Sequence, residues 1–255
     1  MNAAASALTD CVTMTRRNLS HTLRSTDAIV VAIALPVTLL LLFVYVFGGA
    51  IDTGQSYLNY VVPGIIVLCA SWGASTTALT VASDKSEGIV DRFRTMPIAP
   101  GSILMGHVLT SVVRNLGSTT IVVGVALIMG FRPVGDPLAW IYAAVLVSAL
   151  VFAMSWLCAT LGLLAGTPEA ASGFTFGFLF LPYVSSAFVP AETMPGWLRG
   201  FAEHQPMTPV TETLRSILLT GSFGESAVTA FAWCAAIGIV GFVSARWVFG
   251  RRSPA

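Results

Sequence analysis

Charge is what this sequence has least of. Among 255 residues only 13 are Lys or Arg and 12 are Asp or Glu, while 55% are apolar and the mean hydropathy is +0.82. A soluble domain carries about a quarter charged residues, so 10% cannot cover a water-facing surface. Uncharged runs of roughly 18 residues or more exclude a soluble protein with an outsized core. A net charge of +1 offers no basic face to nucleic acid. Lysine is almost missing, with twelve arginines against the single Lys85. The four cysteines (Cys11, Cys69, Cys158 and Cys234) form no CxxC pair. Three lie in apolar runs, where Cys acts as a small hydrophobe, and neither a disulfide framework nor a metal site is expected. His21, His107 and His204 are scattered, which disfavours the acid–base constellation of a membrane-embedded enzyme. The first 27 residues hold Asp10, Arg16, Arg17, Arg24 and Asp27 and no apolar core, so they do not read as a signal peptide.

What is present is a series of long apolar runs. A bilayer core about 30 Å thick needs roughly 20 apolar residues in a helix. Six segments fit an all-α polytopic fold in a single transmembrane domain: 28–48, 59–82, 110–131, 140–166, 170–190 and 226–247. With six spans, Arg16, Arg17, Arg24, Lys85, Arg92, Arg94, Arg114, Arg246, Arg251 and Arg252 share the side of both termini, and only Arg132, Arg199 and Arg215 face the other. The positive-inside rule makes the first side cytoplasmic. Apart from Arg114, four residues into the third span, the spans carry no ionisable side chain except near their ends. A proton- or sodium-driven carrier commonly places such groups in the membrane or shows inverted repeats; neither signature is found. Arg114 suits a snorkelling or helix-pairing role near the cytoplasmic face, with a gating role as the alternative.

Four segments flank the spans. In 7–24, Leu8, Val12, Thr15, Leu19 and Leu23 fall near one helical face beside Arg16, Arg17 and Arg24, as in a helix lying in the interface. In 84–100, six of the chain's charges (Asp84, Lys85, Glu87, Asp91, Arg92, Arg94) crowd into eleven positions around Ile89, Val90, Phe93 and Met96, before Pro97 and Pro100. The pattern reads as a short amphipathic helix over 84–95 that the prolines stop, and mixed charges around an apolar stripe suit a groove on a protein partner better than lipid. The segment 191–221 is apolar for an outer loop. A short amphipathic piece begins at Pro195, and Thr208–Pro209 reads as a cap and first residue of a second helix that ends near Gly221. Two half-length helices re-entering from outside are expected here. In the tail, Arg251 and Arg252 anchor the end inside.

These features resemble the membrane subunits of ABC type-2 exporters, and more narrowly the bacterial permeases of daunorubicin-type drug exporters. The resemblance covers nearly the whole chain. It rests on the basic N-terminal helix, the six spans, and Glu87-Gly88-Ile89-Val90-Asp91-Arg92 followed by Pro97. It rests also on the outer pattern Pro195, Trp197, Leu198, Phe201, Pro206, Thr208, Glu212, Leu214 and Arg215. His204-Gln205-Pro206 departs from the Asn that many relatives carry before that Pro. The resemblance implies that Glu87–Arg94 is a coupling helix docking on a separate ATP-hydrolysing subunit. Two permeases, identical or related, and two ATPases would then assemble, and an outer gate would include Trp197, Phe201, Pro206, Glu212 and Arg215. ATP and Mg would bind the partner alone: a phosphate-cradling GxxxxGK[ST] loop needs a lysine, and Lys85 in SDKSEG has no glycine-rich loop ahead of it.

Tyr60, Trp72, Phe174, Phe178, Tyr183 and Ser185 are candidates to line a path for an amphiphilic drug, lipid or glycolipid; ordinary helix packing is the alternative for each. A membrane-embedded enzyme, an ion-coupled secondary carrier and a regulatory membrane protein are the competing functions. The chain is expected in a bacterial plasma membrane, multi-pass, with cytoplasmic termini. Single cysteines in a cysteine-free background test this: positions Asp52, Arg132 and Glu203 should label from outside intact cells, and Arg92 and Glu169 should not. Labelling of position 92 by an impermeant reagent overturns the orientation.

Overall fold

A computed structural model describes residues 3–51, 56–94, 100–134 and 136–251, without the side chains at 3–7, 26–29, 91, 94, 100 and 251. Every regular element among them is helical. Helix α1 covers Ala3–Arg24, α2 Thr26–Leu41, α3 Tyr57–Ser86, α4 Ile89–Arg94, α5 Pro100–Ile128, α6 Pro137–Leu164, α7 Pro168–Phe180, α8 Gly196–His204, α9 Met207–Thr220 and α10 Ala227–Arg251. A widened π turn, Leu42–Phe47, extends α2, and a tight 3₁₀ turn, Leu181–Val184, extends α7.

Hydrocarbon offers no partner to backbone N–H and C=O groups, so an apolar chain in a bilayer satisfies them within helices. Among the described residues five helices are long and apolar enough to cross: Val30–Phe47, α3, α5, α6 and α10. The expected fifth span, 170–190, contains α7, which has 13 residues, about 20 Å; its 3₁₀ turn adds about 8 Å. The third helix in the membrane series begins at Pro100, not near Thr110 as its apolar run suggests. Proline suits that first turn because its missing N–H has no intrahelical partner there anyway. The helix stop expected at Pro97, the labelling position Asp52 and the tail's Arg252 lie outside the described residues.

Helix α3 is the centre of the molecule. It has 30 residues, and its buried face runs from Tyr57 to Ala82 against α2, α5, α6, α7 and α9. At about 45 Å it outruns the bilayer core, so its last polar turn, Asp84–Ser86, lies beyond the apolar stretch. Lipid tails are as apolar as Leu, so helices in a membrane associate through close packing and interhelical hydrogen bonds. Both occur here. A Cβ on Gly162 of α6 would stand 2.5 Å from the Ala78 carbonyl oxygen of α3, and one on Gly241 of α10 would stand 2.6 Å from the Leu157 nitrogen of α6. The Thr160 hydroxyl donates to the Gly241 carbonyl at 3.1 Å, and the Trp156 ring meets Phe242 edge-on at 4.9 Å between centroids. Between α3 and α5, Arg114 donates to the Gly73 carbonyl at 2.9 Å and to the Thr76 hydroxyl. Its position is that of a helix-pairing side chain.

The outer segment corrects one expectation. Helix α9 begins at Met207, so Thr208 is inside the helix and is not its cap. Gln205 supplies the cap instead, its side-chain oxygen accepting the Met207 N–H at 3.3 Å. Gly221 ends α9 as expected, at φ 71°, a left-handed conformation in which glycine meets no Cβ clash. Helix α9 is buried along Met207–Leu218 among α3, α6 and α10, whereas α8 exposes Trp197 and Phe201.

The α6–α10 contact yields a test. Gly241→Leu forces the helices apart and should destabilise the protein by about 1–3 kcal/mol, seen as a lower Tm in detergent. Gly238→Ala, whose Cβ would rest 3.6 Å from Ala153, should leave Tm within error.

Candidate functional site

At the C-terminal end of α3 two neighbouring residues reach in different directions. The Asp84 carboxylate stands 3.3 Å from Arg17 Nη1 of α1 and 3.3 Å from His107 Nε2 of α5. The Lys85 ammonium donates to the carbonyls of Leu163 at 2.7 Å and Ala165 at 2.5 Å. The last carbonyls of a helix have no intrahelical donor, so the single lysine caps α6 and ties it to α3. The chain then turns at Gly88, with φ 72°, and enters α4. The expected amphipathic helix of 84–95 is therefore divided: Asp84–Ser86 end α3, and only Ile89–Arg94 form α4.

Within α4, Val90 is buried among Val81, Ile103, Leu104, Val108 and Trp156. Phe93 is half-buried against the same cluster, with the Arg17 guanidinium 5.1 Å from its ring centroid. Glu87 is exposed and accepts a hydrogen bond from Ser83 at 2.8 Å; Arg92 is exposed and Ile89 half-buried. The side chains of Asp91 and Arg94 lie outside the described residues. Among the described residues nothing beyond its chain neighbours lies within 4 Å of a Cβ on Gly88, and its conformation is the left-handed turn, in which other residues are strained.

At the N-terminal end of α3 a polar knot forms. Arg215 of α9 lies over the Tyr60 ring, 3.9 Å from its centroid, and donates to the Ser186 carbonyl at 2.9 Å and the Tyr60 carbonyl at 3.3 Å. The Tyr60 hydroxyl donates to the same Ser186 carbonyl at 2.8 Å. Thr208 donates to Ala202 O at 2.5 Å and accepts from Ser186 N at 3.2 Å; Gln205 donates to the carbonyls of Leu181 and Val184 at 3.1 and 3.3 Å. The backbone breaks after α7, and these side chains supply the bonds that a helix would have made. Glu212 accepts from Ser226 at 2.8 Å. On exposed α8, Arg199 pairs with Glu203 at 2.6 Å, which raises the Arg199 pKa.

The six path candidates do not come together in one place. Tyr60 and Ser185 are buried in the knot, with Ser185 donating to Pro182 O at 2.6 Å and accepting from Ala187 N at 3.1 Å. Trp72 and Tyr183 instead border an apolar groove of about 160 Å³ between α3 and α7, with Leu68, Phe176, Leu179 and Phe180. Phe178 packs on the core and Phe174 points away, 55% exposed. Phe176 and Phe180 were missed by the sequence reading, although their i, i+4 spacing with Leu179 and Tyr183 places them on one face. Gln205 and Lys85 were missed as structural ties because their side chains bond to backbone far away in sequence, and Ser186 because its own backbone meets the distant side chains of Tyr60, Thr208 and Arg215. Of the outer-gate candidates, the structure brings Arg215 and the residues after Pro206 into the knot, while Trp197 and Phe201 stand on the exposed face of α8.

Comparison with known proteins agrees with this architecture. The model of the ABC-2 type transporter family matches residues 9–219. A daunorubicin resistance ABC transporter permease protein of Streptomyces coeruleorubidus is 33% identical over 188 residues, covering 73% of this chain and 66% of the relative. A probable doxorubicin resistance ABC transporter permease protein of Mycobacterium tuberculosis is 25% identical over 244 residues, covering 94% and 87%. A probable multidrug ABC transporter permease of Escherichia coli is 25% identical over 165 residues, covering 64% and 44%. With a family match over most of its length and several helices fit to cross a bilayer, this chain is a multi-pass membrane protein and belongs to the ABC-2 type transporter family.

Proposed function

We propose that this chain is the permease subunit of an ATP-driven exporter that moves an amphiphilic drug, lipid or glycolipid outward across a bacterial plasma membrane. The observation that carries the reading is the charged turn and short helix at the end of α3, in a chain whose family and relatives are transporter permeases. A docking element is useful only if its displacement reaches the membrane. Here α4 continues from the most buried helix, Val90 roots it in the core, and Lys85 ties its base to α6. A push on Glu87, Gly88, Arg92 and Phe93 would be delivered to α3 and α6 together.

The energy source is a separate ATPase that binds ATP and Mg, since the chain has no phosphate-cradling loop around its one lysine. The six-span reading counts α7 with its 3₁₀ turn as the short fifth span and places both termini and α4 in the cytoplasm. Helices α8 and α9 then form the re-entrant outer gate, with Arg215, Glu212 and Pro206 at its hinge and Trp197 and Phe201 on its surface. The groove of Trp72, Phe176, Phe180 and Tyr183, beside the thinly covered α2, is the face that a second permease copy would close into a path. ATP-driven closure of two ATPases would alternate that path between inward and outward openings.

Aromatic anchors dominate interface energies, and rim charges contribute less. Phe93→Ala should weaken ATPase docking by about 2 kcal/mol and abolish export. Gly88→Trp should uncouple transport, while Gly88→Asn, which tolerates the left-handed turn, should retain part of it. A charge change at Arg94 should matter less and depend on salt. Pull-down of the ATPase, ATP turnover with and without the partner, and efflux measure these effects. Wild-type docking and efflux in both Phe93→Ala and Gly88→Trp, or robust ATP hydrolysis by this chain alone, would overturn the assignment.

A further inference from the structure

A second cavity, of about 210 Å³, lies between α1, α3 and α5 near the inner end of the bundle. Unlike the aromatic groove it is polar, bordered by Arg17, Asn18 and His21 of α1, Thr77, Thr80 and Asp84 of α3, and His107, Ser111 and Arg114 of α5. Its volume is far above the roughly 30 Å³ of a single water, so one structural water does not account for it.

Three polar groups around it lack what burial demands. Arg114 bonds only to the neutral Gly73 carbonyl and Thr76 hydroxyl, and it pairs with no carboxylate among the described residues. The hydroxyl of Thr77, a residue 1% exposed, and the Asn18 side-chain nitrogen are buried with no hydrogen-bond partner among the described residues. A buried cation facing only neutral acceptors is costly, and each unsatisfied polar group adds to that cost. The nearest acid of α3 that lines the cavity, Asp84, is already engaged by Arg17 and His107. It stands seven residues along α3 from Thr77, about 10 Å towards the mouth, where Glu87 is also exposed. An arginine without a carboxylate partner among the described residues thus lies deep in the cavity, while Asp84 and Glu87 stand beside Arg17, His21 and His107.

Its depth points to a lipid. Helix α1 covers the cavity and turns Leu8, Val12 and Leu23 outward, exposed by 71%, 59% and 63%. A helix with such a face settles at the boundary between headgroups and acyl chains. We propose that this cavity binds the phosphate of a phospholipid headgroup from the cytoplasmic leaflet, with Arg114, Thr77 and Asn18 as its donors. The site is separate from the aromatic groove and does not depend on the transport cycle proposed above.

The test uses the full-length chain, delipidated in detergent, with binding followed by native mass spectrometry. The probes are dioctanoyl phosphatidylethanolamine, dioctanoylglycerol and inorganic phosphate. Phosphatidylethanolamine should bind, dioctanoylglycerol should not, and millimolar phosphate should fail to displace the lipid. Arg114→Gln and the near-isosteric Thr77→Val should each lower affinity by roughly tenfold, the loss of one charged or buried hydrogen bond. Arg199→Gln on the exposed α8 should change nothing. The proposal is overturned if Thr77→Val and Arg114→Gln bind like the wild type, if dioctanoylglycerol binds as tightly, or if phosphate alone competes at the lipid's own concentration.

Discussion

A backbone group inside a bilayer has no water to turn to, and each one left unpaired costs several kcal/mol. The helices solve this along their lengths, but every helix end and every break reopens the problem. The polar side chains of this apolar protein stand where that happens. Lys85 holds the last carbonyls of α6, Gln205 holds those left by the turn after α7, and Arg215 and Tyr60 converge on the Ser186 carbonyl. The scarce charges and amides are therefore concentrated at joints, and the joints define how the bundle can move.

Helix α3 connects the two most elaborate of them. Tyr60 in the outer knot and Asp84 in the inner joint belong to one uninterrupted helix, about 36 Å apart along its axis. A helix packed on several sides is stiff over that length, and small residues at its contacts leave little room for independent tilting. Displacement of α4 would therefore be felt at the Arg215–Tyr60 contact. In the proposed exporter this makes α3 the connection between the ATPase side and the outer gate, with α6 carried along through Lys85.

The two cavities differ in kind for a reason rooted in depth. The groove between α3 and α7 is bordered by aromatic and aliphatic side chains, as suits an apolar solute or a second helix bundle. The cavity under α1 holds the one arginine placed well inside an apolar helix. In the proposed lipid site the side chains there would meet the interface, where phosphates are plentiful and a cation can find an anion without one being encoded in the protein. Much of this difference was visible in the run of residues: Arg114 stands out in the third apolar stretch, and α1 shows its basic, half-apolar pattern.

The sequence by itself determined the helical membrane class, the amphipathic first helix, the charged segment after the second apolar run and the glycine stop at Gly221. Each follows from local composition or period, and hydrophobic length is a local quantity. Its reading of 84–95 as one helix failed because nothing local showed that Gly88 would adopt a left-handed turn and leave Asp84 and Lys85 on α3. Thr208 carried a cap signature, yet the cap came from Gln205, whose amide was drawn to Leu181 and Val184 across the break. Tyr60 and Ser185 had the composition of a lining and were taken into the packed knot instead. Only the tertiary structure could decide these, because a side chain's partner in a bilayer is whichever distant backbone group the packing leaves unpaired.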